Sequence, residues 1–425
     1  MKKLLLIALV ASSLVFTGCF KDDDAPLIVE TSSTTTIINE NPGGGDDCPT
    51  VAVTGEVADG TVWTNDNIYQ LNQKVVVPAG ATLTINPGTI IKGAAGTGSL
   101  ASALIVARGG TLNANGTADE PIIFTSTQDN ISCGQSAGTN LDQDDRGLWG
   151  GLIVLGNAPC SFSGDIVEAQ IEGIPADDTF GLYGGTNAMD SSGSMRYISI
   201  RHGGALIGEG NEINGLTLGG VGEGTIIDNI EVVANVDDGI EFFGGTCNAS
   251  NLLVWAQGDD AIDIDQAYSG IIDNAVVVLG DISDHAFEID GPEGTGAGEF
   301  TLRNATIIGN TVTANGEYAD YRSNAQGFTE NVYAFGFKDS SDVELDNDGV
   351  ATNYNNGLLT FGAWEIALPA GVTDVTSIFV NKAENVMVTG FGSTATAVTE
   401  GAQTVGATTS ELSWTYSNVE GGLGF

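Results

Sequence analysis

The chain has 425 residues and a formal net charge of −42 at pH 7, from 13 basic and 55 acidic side chains. So large a negative charge repels phosphate backbones and anionic lipid headgroups, so we expect no nucleic-acid partner. The 60 glycines against 10 prolines, with 42% hydrophobic residues, are typical of an all-β protein with many tight turns. An acidic surface also keeps a protein soluble, and this simpler interpretation of the charge stays open.

The N-terminus carries a secretory signal. Residues 1–16 combine Lys2 and Lys3 with an apolar run that is too short to span a membrane. The segment V-F-T-G-C that ends at Cys19 resembles the bacterial lipobox. This resemblance implies a lipoprotein signal peptide over 1–18 and a lipidated Cys19 that anchors the mature chain to the outer membrane. An ordinary signal peptide with an incidental cysteine is the alternative.

The residues after Cys19 indicate where the protein faces. The segment F-K-D-D-D resembles the surface-export signal of lipoproteins of the Bacteroidetes, which implies a position on the cell exterior. A periplasmic position is the alternative. Residues 19–50 are rich in Ser, Thr, Asn, Pro and Gly and cannot bury a core, so they predict a flexible tether.

Three copies of one pattern follow in the middle of the chain. Asn229, Asn251 and Asn274 open the copies, at steps of 22 and 23 residues. These steps are too short for a βαβ unit and suit one coil of a β-solenoid, whose coils must stack to bury their apolar side. We therefore predict a parallel β-solenoid over 51–347, with final coils and a C-terminal cap over 348–425.

Apolar and acidic residues alternate within each copy, which is the pattern of a strand with one wet face. The apolar positions are Ile240, Phe242, Ile262, Ile264, Phe287 and Ile289. The acidic positions are Glu241, Asp263, Asp265, Glu288 and Asp290, with Asp237, Asp238, Asp259, Asp260 and Asp284 at the preceding turn. Carboxylates one coil apart, at about 4.8 Å, repel each other unless a cation lies between them, and calcium prefers such oxygens. The sequence predicts a calcium site here, and a solvated acidic face without an ion is the alternative.

Several segments carry a family resemblance. They are D-D-G-I-E-F, D-D-A-I-D-I, G-A-T-L-T-I-N-P-G-T-I-I-K-G and G-G-T-L-N-A-N-G-T-A-D-E-P-I-I-F-T-S. Over most of 51–347 the chain resembles the pectate-lyase superfamily, and specifically the Gly-rich surface lipoproteins of the Bacteroidetes built on that fold. The resemblance implies a right-handed parallel β-helix, and calcium on the acidic strand face as in pectate lyases. It implies little about activity, because the superfamily holds lyases, hydrolases and proteins with no assigned reaction.

A lyase also needs a base beside the metal, usually Arg or Lys in these families. Arg303, Arg322 and His285 are the candidates, but none stands in a matching motif. The G-H-G and R-x-K segments of polygalacturonases are absent from the sequence. We therefore predict a non-catalytic binding or adhesion module for a glycan or an outer-membrane protein partner, with or without calcium. The alternative is a calcium-dependent polysaccharide lyase or a related carbohydrate-active enzyme.

Other residues have possible roles in binding or stability. Tyr318, Tyr321 and Trp255 are candidate stacking platforms for sugars, although Trp255 equally fits the core. A column of His202, Asn235, Gln257 and Asn310 predicts a stacked amide ladder.

Four cysteines remain besides Cys19, an even number in an oxidising compartment: Cys48, Cys133, Cys160 and Cys247. They allow three pairings, and the sequence does not choose among them. The separation of Cys133 and Cys160, close to one coil, makes that pair attractive.

Overall fold

The computed structural model describes residues 36–38, 48–175, 178–206 and 213–425. The predicted signal peptide, Cys19 and most of the predicted tether lie outside the described residues. In the described part of the chain, no helix is both long and apolar enough to cross a membrane.

The described residues form 28 strands, nearly all in one parallel assembly. They are β1 (Thr36–Ile38), β2 (Thr50–Glu56), β3 (Thr61–Trp63), β4 (Ile68–Val77), β5 (Thr82–Ile85), β6 (Ile90–Gly93), β7 (Ala103–Val106), β8 (Thr111–Asn115), β9 (Ile122–Ser126), β10 (Leu152–Leu155), β11 (Ala169–Gln170), β12 (Leu182–Tyr183), β13 (Gly193–Arg201), β14 (Leu216–Gly219), β15 (Ile226–Val233), β16 (Ile240–Phe243), β17 (Asn248–Trp255), β18 (Ile262–Asp265), β19 (Ile271–Val278), β20 (Phe287–Ile289), β21 (Phe300–Ile308), β22 (Ala319–Tyr321), β23 (Gly327–Phe335), β24 (Val343–Leu345), β25 (Leu359–Phe361), β26 (Trp364–Ala367), β27 (Phe379–Asn381) and β28 (Ala395–Val398). The predicted right-handed parallel β-helix is therefore confirmed.

Helices are few and short. The α-helices are α1 (Asp348–Asn356) and α2 (Tyr416–Val419), and the 3-10 helices are Gly98–Leu100, Ser163–Asp165, Thr179–Gly181, Val375–Ile378 and Thr409–Leu412. Helix α1 starts at the Asn347 side chain, which accepts hydrogen bonds from the first backbone amides, and ends at Gly357 in the left-handed conformation.

Each regular coil contributes to three parallel sheets. One sheet stacks β14, β16, β18, β20, β22 and β24, and we call it the acidic face. The long strands β13, β15, β17, β19 and β21 each supply the other two sheets. Their first halves form the groove face (194–196, 226–228, 248–250, 271–273 and 301–303), and their second halves form the tail face (198–201, 230–233, 252–255, 275–278 and 305–308).

An asparagine ladder bends the long strands. Asn229, Asn251, Asn274, Asn304 and Asn331 all have φ between 55° and 65°, a conformation that asparagine tolerates better than most residues. Their side chains bond from coil to coil: the Asn274 amide donates to Asn251 at 2.7 Å and the Asn331 amide donates to Asn304 at 3.1 Å. The residues that open the sequence copies are therefore the corners of the coils.

The predicted amide column is wrong in two ways. Asn235 donates to the carbonyl groups of Ile213 and Asp238 at 3.0 and 2.9 Å, so its amide binds backbone rather than a neighbouring amide. His202 lies in register with Ala234, one residue away from the column. Its Nδ1 lies 2.8 Å from the Asp145 carbonyl oxygen.

The core lies inside the coils, where the alternating apolar positions point as predicted. Ile240, Phe242, Ile262, Ile264 and Phe287 are all at most 1% exposed. Their stacks continue into one cluster that runs from β2 to β27. Burial of this continuous apolar interior drives the stacking of coils that could not fold singly.

After residue 347, strands β25 to β28 continue the stack on β23 and β24, and the last residues then run back along the tail face. Thr404 contacts Glu365, Thr408 binds Asn274, and Ser417 binds Glu231, so the tail passes successively earlier coils. Glu231 is fully buried and accepts hydrogen bonds from the Tyr416 and Ser417 amides and the Ser417 hydroxyl. The tail thus ties together coils that are distant along the axis.

The favoured Cys133–Cys160 disulfide is wrong. Cys133 is bonded to Cys48, while Cys160 and Cys247 are free. Cys133 follows β9, which stacks on β6, whereas Cys160 follows β10, which stacks on β7 and β14 in a different sheet. A separation of one coil length therefore did not bring the two residues to the same face.

The asparagine ladder generates a stability prediction. Asn251→Ala removes the bonds to Asp228 and Asn274 and places alanine at φ 55°, so we expect it to lower the free energy of unfolding by about 2–4 kcal/mol. Asn251→Gly removes the same bonds without the conformational strain, and should cost about 1–2 kcal/mol less than alanine. Denaturant unfolding of both variants measures the difference. Equal losses would show that the left-handed corner contributes nothing.

Candidate metal site in the acidic face

The predicted acidic column exists and is longer than predicted. Glu241 is in register with Asp263, and Asp263 with Glu288, in adjacent strands. The column continues to Asp320 and Glu344 in β22 and β24. Sequence reasoning missed these two, although the triplets A-D-Y and V-E-L repeat the apolar–acidic–apolar pattern of I-E-F, I-D-I and F-E-I.

A second polar column runs beside the first, at the turn before each strand. It contains Asp238, Asp260, His285 and Glu317, aligned by backbone hydrogen bonds and one bridge between coils. The Asp260 amide donates to Asp238 Oδ1 at 2.9 Å, and the His285 amide donates to Asp260 Oδ1 at 2.7 Å. We call the two columns together the acidic trough.

The trough is buried, which the alternating pattern did not predict. Glu241, Asp263 and Glu288 are 5%, 9% and 8% exposed. A long loop that carries β11 and β12 lies beside this end of the face, and Asn214 donates both to Glu172 in that loop and to Glu241. The column is therefore not the open, solvated face that one wet side of a strand would give.

Burial changes the protonation of these carboxyl groups. Desolvation, reinforced by neighbouring carboxylates, raises the pKa of Asp238, Glu241 and Asp263 well above the usual range. Burial, together with the charge of Asp290, also raises the pKa of Asp265 to about 7. The charged form of this end of the trough is therefore costly without a compensating positive charge.

At the other end of the trough, basic side chains of the protein itself compensate the buried carboxylates. Arg322 pairs with Glu288 and lies 3.0 Å from an Asp290 oxygen, and Lys382 pairs with Glu344. His285 Nδ1 lies 2.8 Å from Asp260 Oδ1. Burial alone would lower the pKa of His285, but this hydrogen bond and the surrounding carboxylates raise it to about 9. His285 is therefore a cation at neutral pH.

Asp238, Glu241 and Asp263 form the part of the trough that fits a metal ion best. Each offers one oxygen within 4.8 Å of the other two. In the described part of the chain, no basic side chain forms an ion pair with any of them. Asp263 Oδ1 is also buried without a hydrogen-bond partner. A hard cation with a preference for oxygen, such as calcium, suits this set.

The remaining predicted metal residues have other partners. Glu288 and Asp290 are held by Arg322. Asp265 lies in the column of Asp290 and accepts a hydrogen bond from the Gln266 amide at 3.0 Å. The structure thus brings Glu241 and Asp263 together with Asp238, which the sequence placed only at a flanking turn.

The three candidate bases are all engaged. Arg322 and His285 lie in the trough, where carboxylates bind both. Arg303 lies on the groove face, where its Nη2 donates to Asp273 at 2.9 Å. The structure therefore does not place Arg303 beside the acidic column.

The aromatic platforms are wrong for both tyrosines. Tyr318 and Tyr321 have no exposed surface, because their rings point into the core and pack against Phe337 and Phe300. Trp255 is partly buried under the C-terminal tail, with its ring centroid 6.4 Å from that of Tyr416. The register places Tyr321 opposite Ile289, at an inward apolar position of the repeat, as the triplet A-D-Y already indicates.

The stacked coils and the acidic trough define a parallel β-helix protein with a candidate cation site on one face. The profile of the Pectate-lyase like beta helix domain matches residues 55–418, and the chain belongs to this family. Pectin methylesterase from Aspergillus niger, in a partly deglycosylated crystal form, is a similar solved structure. It has 13% sequence identity and a TM-score of 0.31, over 90% of this chain and 97% of that chain. A search of curated proteins gave no match.

The raised pKa values generate a prediction about pH. A carboxyl group with a higher pKa in the folded than in the unfolded chain makes the folded state bind more protons, so stability falls as pH rises between the two values. The unfolded value is about 4, and Asp265, Glu317 and Asp320 reach about 7 when folded. His285 acts in the same direction, because its stabilising charge is lost towards pH 9. We therefore expect the thermal midpoint in chelator to decrease as the pH is raised from about 5 to about 8.

Thermal unfolding in a metal-free buffer series measures this slope. The double variant Glu241→Gln/Asp263→Asn keeps the shape of the trough and removes two of the buried charges, so its midpoint should fall less steeply. Carboxyl groups with lowered pKa values, such as Asp273, act only below about pH 4 and do not affect the result. A midpoint that rises from pH 5 to pH 8 would contradict the prediction.

Proposed function

We propose that this protein is a non-catalytic binding module at the cell surface, whose acidic trough holds calcium and through it a glycan or a protein partner. One observation carries the proposal. Asp263 is 9% exposed, its Oδ1 has no hydrogen-bond partner, and it lies between the carboxyl groups of Glu241 and Glu288. A buried and unpartnered carboxylate oxygen is costly, and a bound cation would remove that cost.

Asp238, Glu241 and Asp263 would hold the ion. Calcium accepts six to eight oxygen ligands, of which a protein site often supplies only some. When bound, calcium supplies a positive charge that binds carboxylate or hydroxyl oxygens of a ligand. The residues around it keep their own roles: Asn214 holds Glu241 by its amide, and the Asp260 amide holds Asp238. These bonds orient the two carboxyl groups before any ion arrives.

The state of the candidate bases favours binding over catalysis. Proton abstraction beside a uronate carboxylate needs a base that is free to accept a proton. His285 is protonated and bound to Asp260, and Arg322 is bound to Glu288 and Asp290. A calcium-dependent polysaccharide lyase is the alternative, supported by membership of the pectate-lyase-like family.

Surface location is part of the proposal and rests on the sequence around Cys19. We propose that Cys19 is lipidated, that the acidic residues after it direct export, and that the β-helix faces the exterior from the outer membrane, as in the surface lipoproteins of the Bacteroidetes that the chain resembles. A chain with charge −42 is repelled by anionic lipid surfaces, which suits a body held away from the membrane by residues 19–50.

Metal binding is tested by thermal unfolding of the mature chain in calcium and in chelator. Calcium at about a hundred times its dissociation constant should add about 2.7 kcal/mol to the free energy of unfolding. Asp263→Asn should abolish this increase, while it raises stability in chelator because it removes a buried charge. Glu400→Gln, at an exposed carboxylate outside the trough, is the matched control and should behave as the unchanged chain.

Two outcomes would overturn parts of this proposal. Equal thermal midpoints in calcium and in chelator would show that the trough does not bind calcium. Cleavage of polygalacturonate or alginate with calcium, detected by absorbance of the unsaturated product and lost in Asp263→Asn, would replace the binding module by the lyase. We expect no cleavage with either substrate.

The location is tested with Cys19→Ala in the full-length chain. We expect the unchanged protein to incorporate labelled fatty acid and to be degraded when intact cells are treated with protease. Cys19→Ala should lose the label and leave the membrane fraction, because the lipid is the proposed anchor. Labelled protein that resists protease on intact cells would place it on the periplasmic side instead.

A further inference from the structure

A shallow groove of about 430 Å³ lies on the groove face, on a different sheet from the acidic trough. It extends from Arg196 at one end to Arg303 at the other, across four steps between coils. At about 4.8 Å per step the groove is about 19 Å long. Its volume is within the range of small-molecule and oligosaccharide sites.

The residues of the groove form two columns that read nearly the same in both directions along the axis. The polar column is Arg196, Asp228, Ser250, Asp273 and Arg303. The neighbouring column is Ser194, Ile226, Asn248, Ile271 and Thr301, of which the middle three line the groove. Ile226 and Ile271 are 42% and 36% exposed, so two aliphatic surfaces flank the central Asn248.

Charge is nearly balanced within the groove, where two arginines face Asp228, Asp273 and the exposed Glu223. Arg196 pairs with Asp228, and Arg303 Nη2 lies 2.9 Å from Asp273. These pairs cancel in a chain whose net charge is −42. The groove therefore differs from the trough. An uncharged ligand that enters it has no charged group of its own to lose hydration.

The groove keeps unused hydrogen-bonding groups. Each arginine uses one terminal nitrogen for its aspartate, while Arg303 Nε is buried and is not open to a ligand. Asn248 accepts a bond from the Ile271 amide through its side-chain oxygen at 3.0 Å, which leaves its amide nitrogen for a ligand. Guanidinium donors beside carboxylate acceptors are suited to neighbouring hydroxyl groups, which both donate and accept.

We propose that this groove binds a neutral, linear oligosaccharide of about four sugar units, laid along the helix axis. A pyranose ring in an extended chain advances by nearly one coil step, so successive rings would meet successive rungs. Ile226 and Ile271 would face the apolar sides of rings, while the polar column binds their hydroxyl groups. An extended peptide fits less well, since its same-side residues repeat at about 6.6 Å. A polyanionic chain would be repelled by the net charge of the protein.

The test uses the mature protein in chelator, so the trough takes no part. Cellohexaose, xylohexaose and mannohexaose are titrated by calorimetry, with hexagalacturonate as the charged comparison. We expect at least one neutral hexamer to bind and hexagalacturonate not to bind. Ile271→Ala and Arg303→Gln should each weaken binding by about tenfold or more. Ile282→Ala, at an exposed isoleucine outside the groove, is the matched control and should leave the affinity unchanged.

Three outcomes would overturn the proposal. If no neutral hexamer binds while the thermal midpoint shows that the protein is folded, neutral oligosaccharides are excluded as the ligand. If binding needs calcium and is lost in Asp263→Asn but not in Ile271→Ala, the ligand binds in the trough and not in the groove. Self-association in sedimentation that Ile271→Ala abolishes makes a second copy of the chain the occupant. A fourth outcome separates the two proposals. If a neutral hexamer binds in chelator but calcium has no effect on stability, the calcium site in the trough is refuted and the oligosaccharide site in the groove stands.

Discussion

Parallel stacking places every residue of a coil about 4.8 Å from its counterparts in the coils before and after it. Any side chain repeated in the sequence therefore becomes a row of neighbours, and the chemistry of the side chain decides whether that row stabilises the fold. Asparagine succeeds, because one amide both donates and accepts, so Asn251 can bind Asp228 and Asn274 at once. A carboxylate accepts only, so a row of carboxylates needs protons or cations from elsewhere.

The three faces of the helix meet this requirement in different ways. On the groove face, Asp228 and Asp273 alternate with Ser250 and are paired with arginines from adjacent coils. On the tail face, the buried Glu231 is satisfied by Ser199 and by the returning C-terminal segment. On the acidic face, basic side chains pair with the carboxylates of the later coils only, in the described part of the chain. The C-terminal segment is thus part of the polar interior of the protein, because it brings hydrogen-bond donors to a carboxylate that the coils alone leave buried.

The repeat made most of the fold predictable, whereas the loops and the tail were not. Steps of 22 and 23 residues with alternating apolar positions suffice for parallel coils, since only stacking can bury Ile240 and Ile262 together. The disulfide could not be predicted, because it depends on which sheet β9 and β10 join after an irregular loop. The burial of Tyr321 was predictable, because its place in the A-D-Y triplet matches the inward apolar positions of the earlier copies. For the candidate metal site, the sequence predicted the column but not its most suitable position, which depends on contacts with Asn214, Arg322 and Lys382.

The order of charges along the acidic face explains why one position is the best candidate for a cation site. From the C-terminal end, Lys382 pairs with Glu344, Arg322 with Glu288, and protonated His285 with Asp260. In the described part of the chain, no such residue forms an ion pair with Asp238, Glu241 or Asp263, although these carboxyl groups are as buried as the others. A column that were merely a solubilising surface would have no need of arginine and histidine partners at one end. The paired coils show how the fold balances a buried carboxylate, and the unpaired coils are where an external cation would perform the same task.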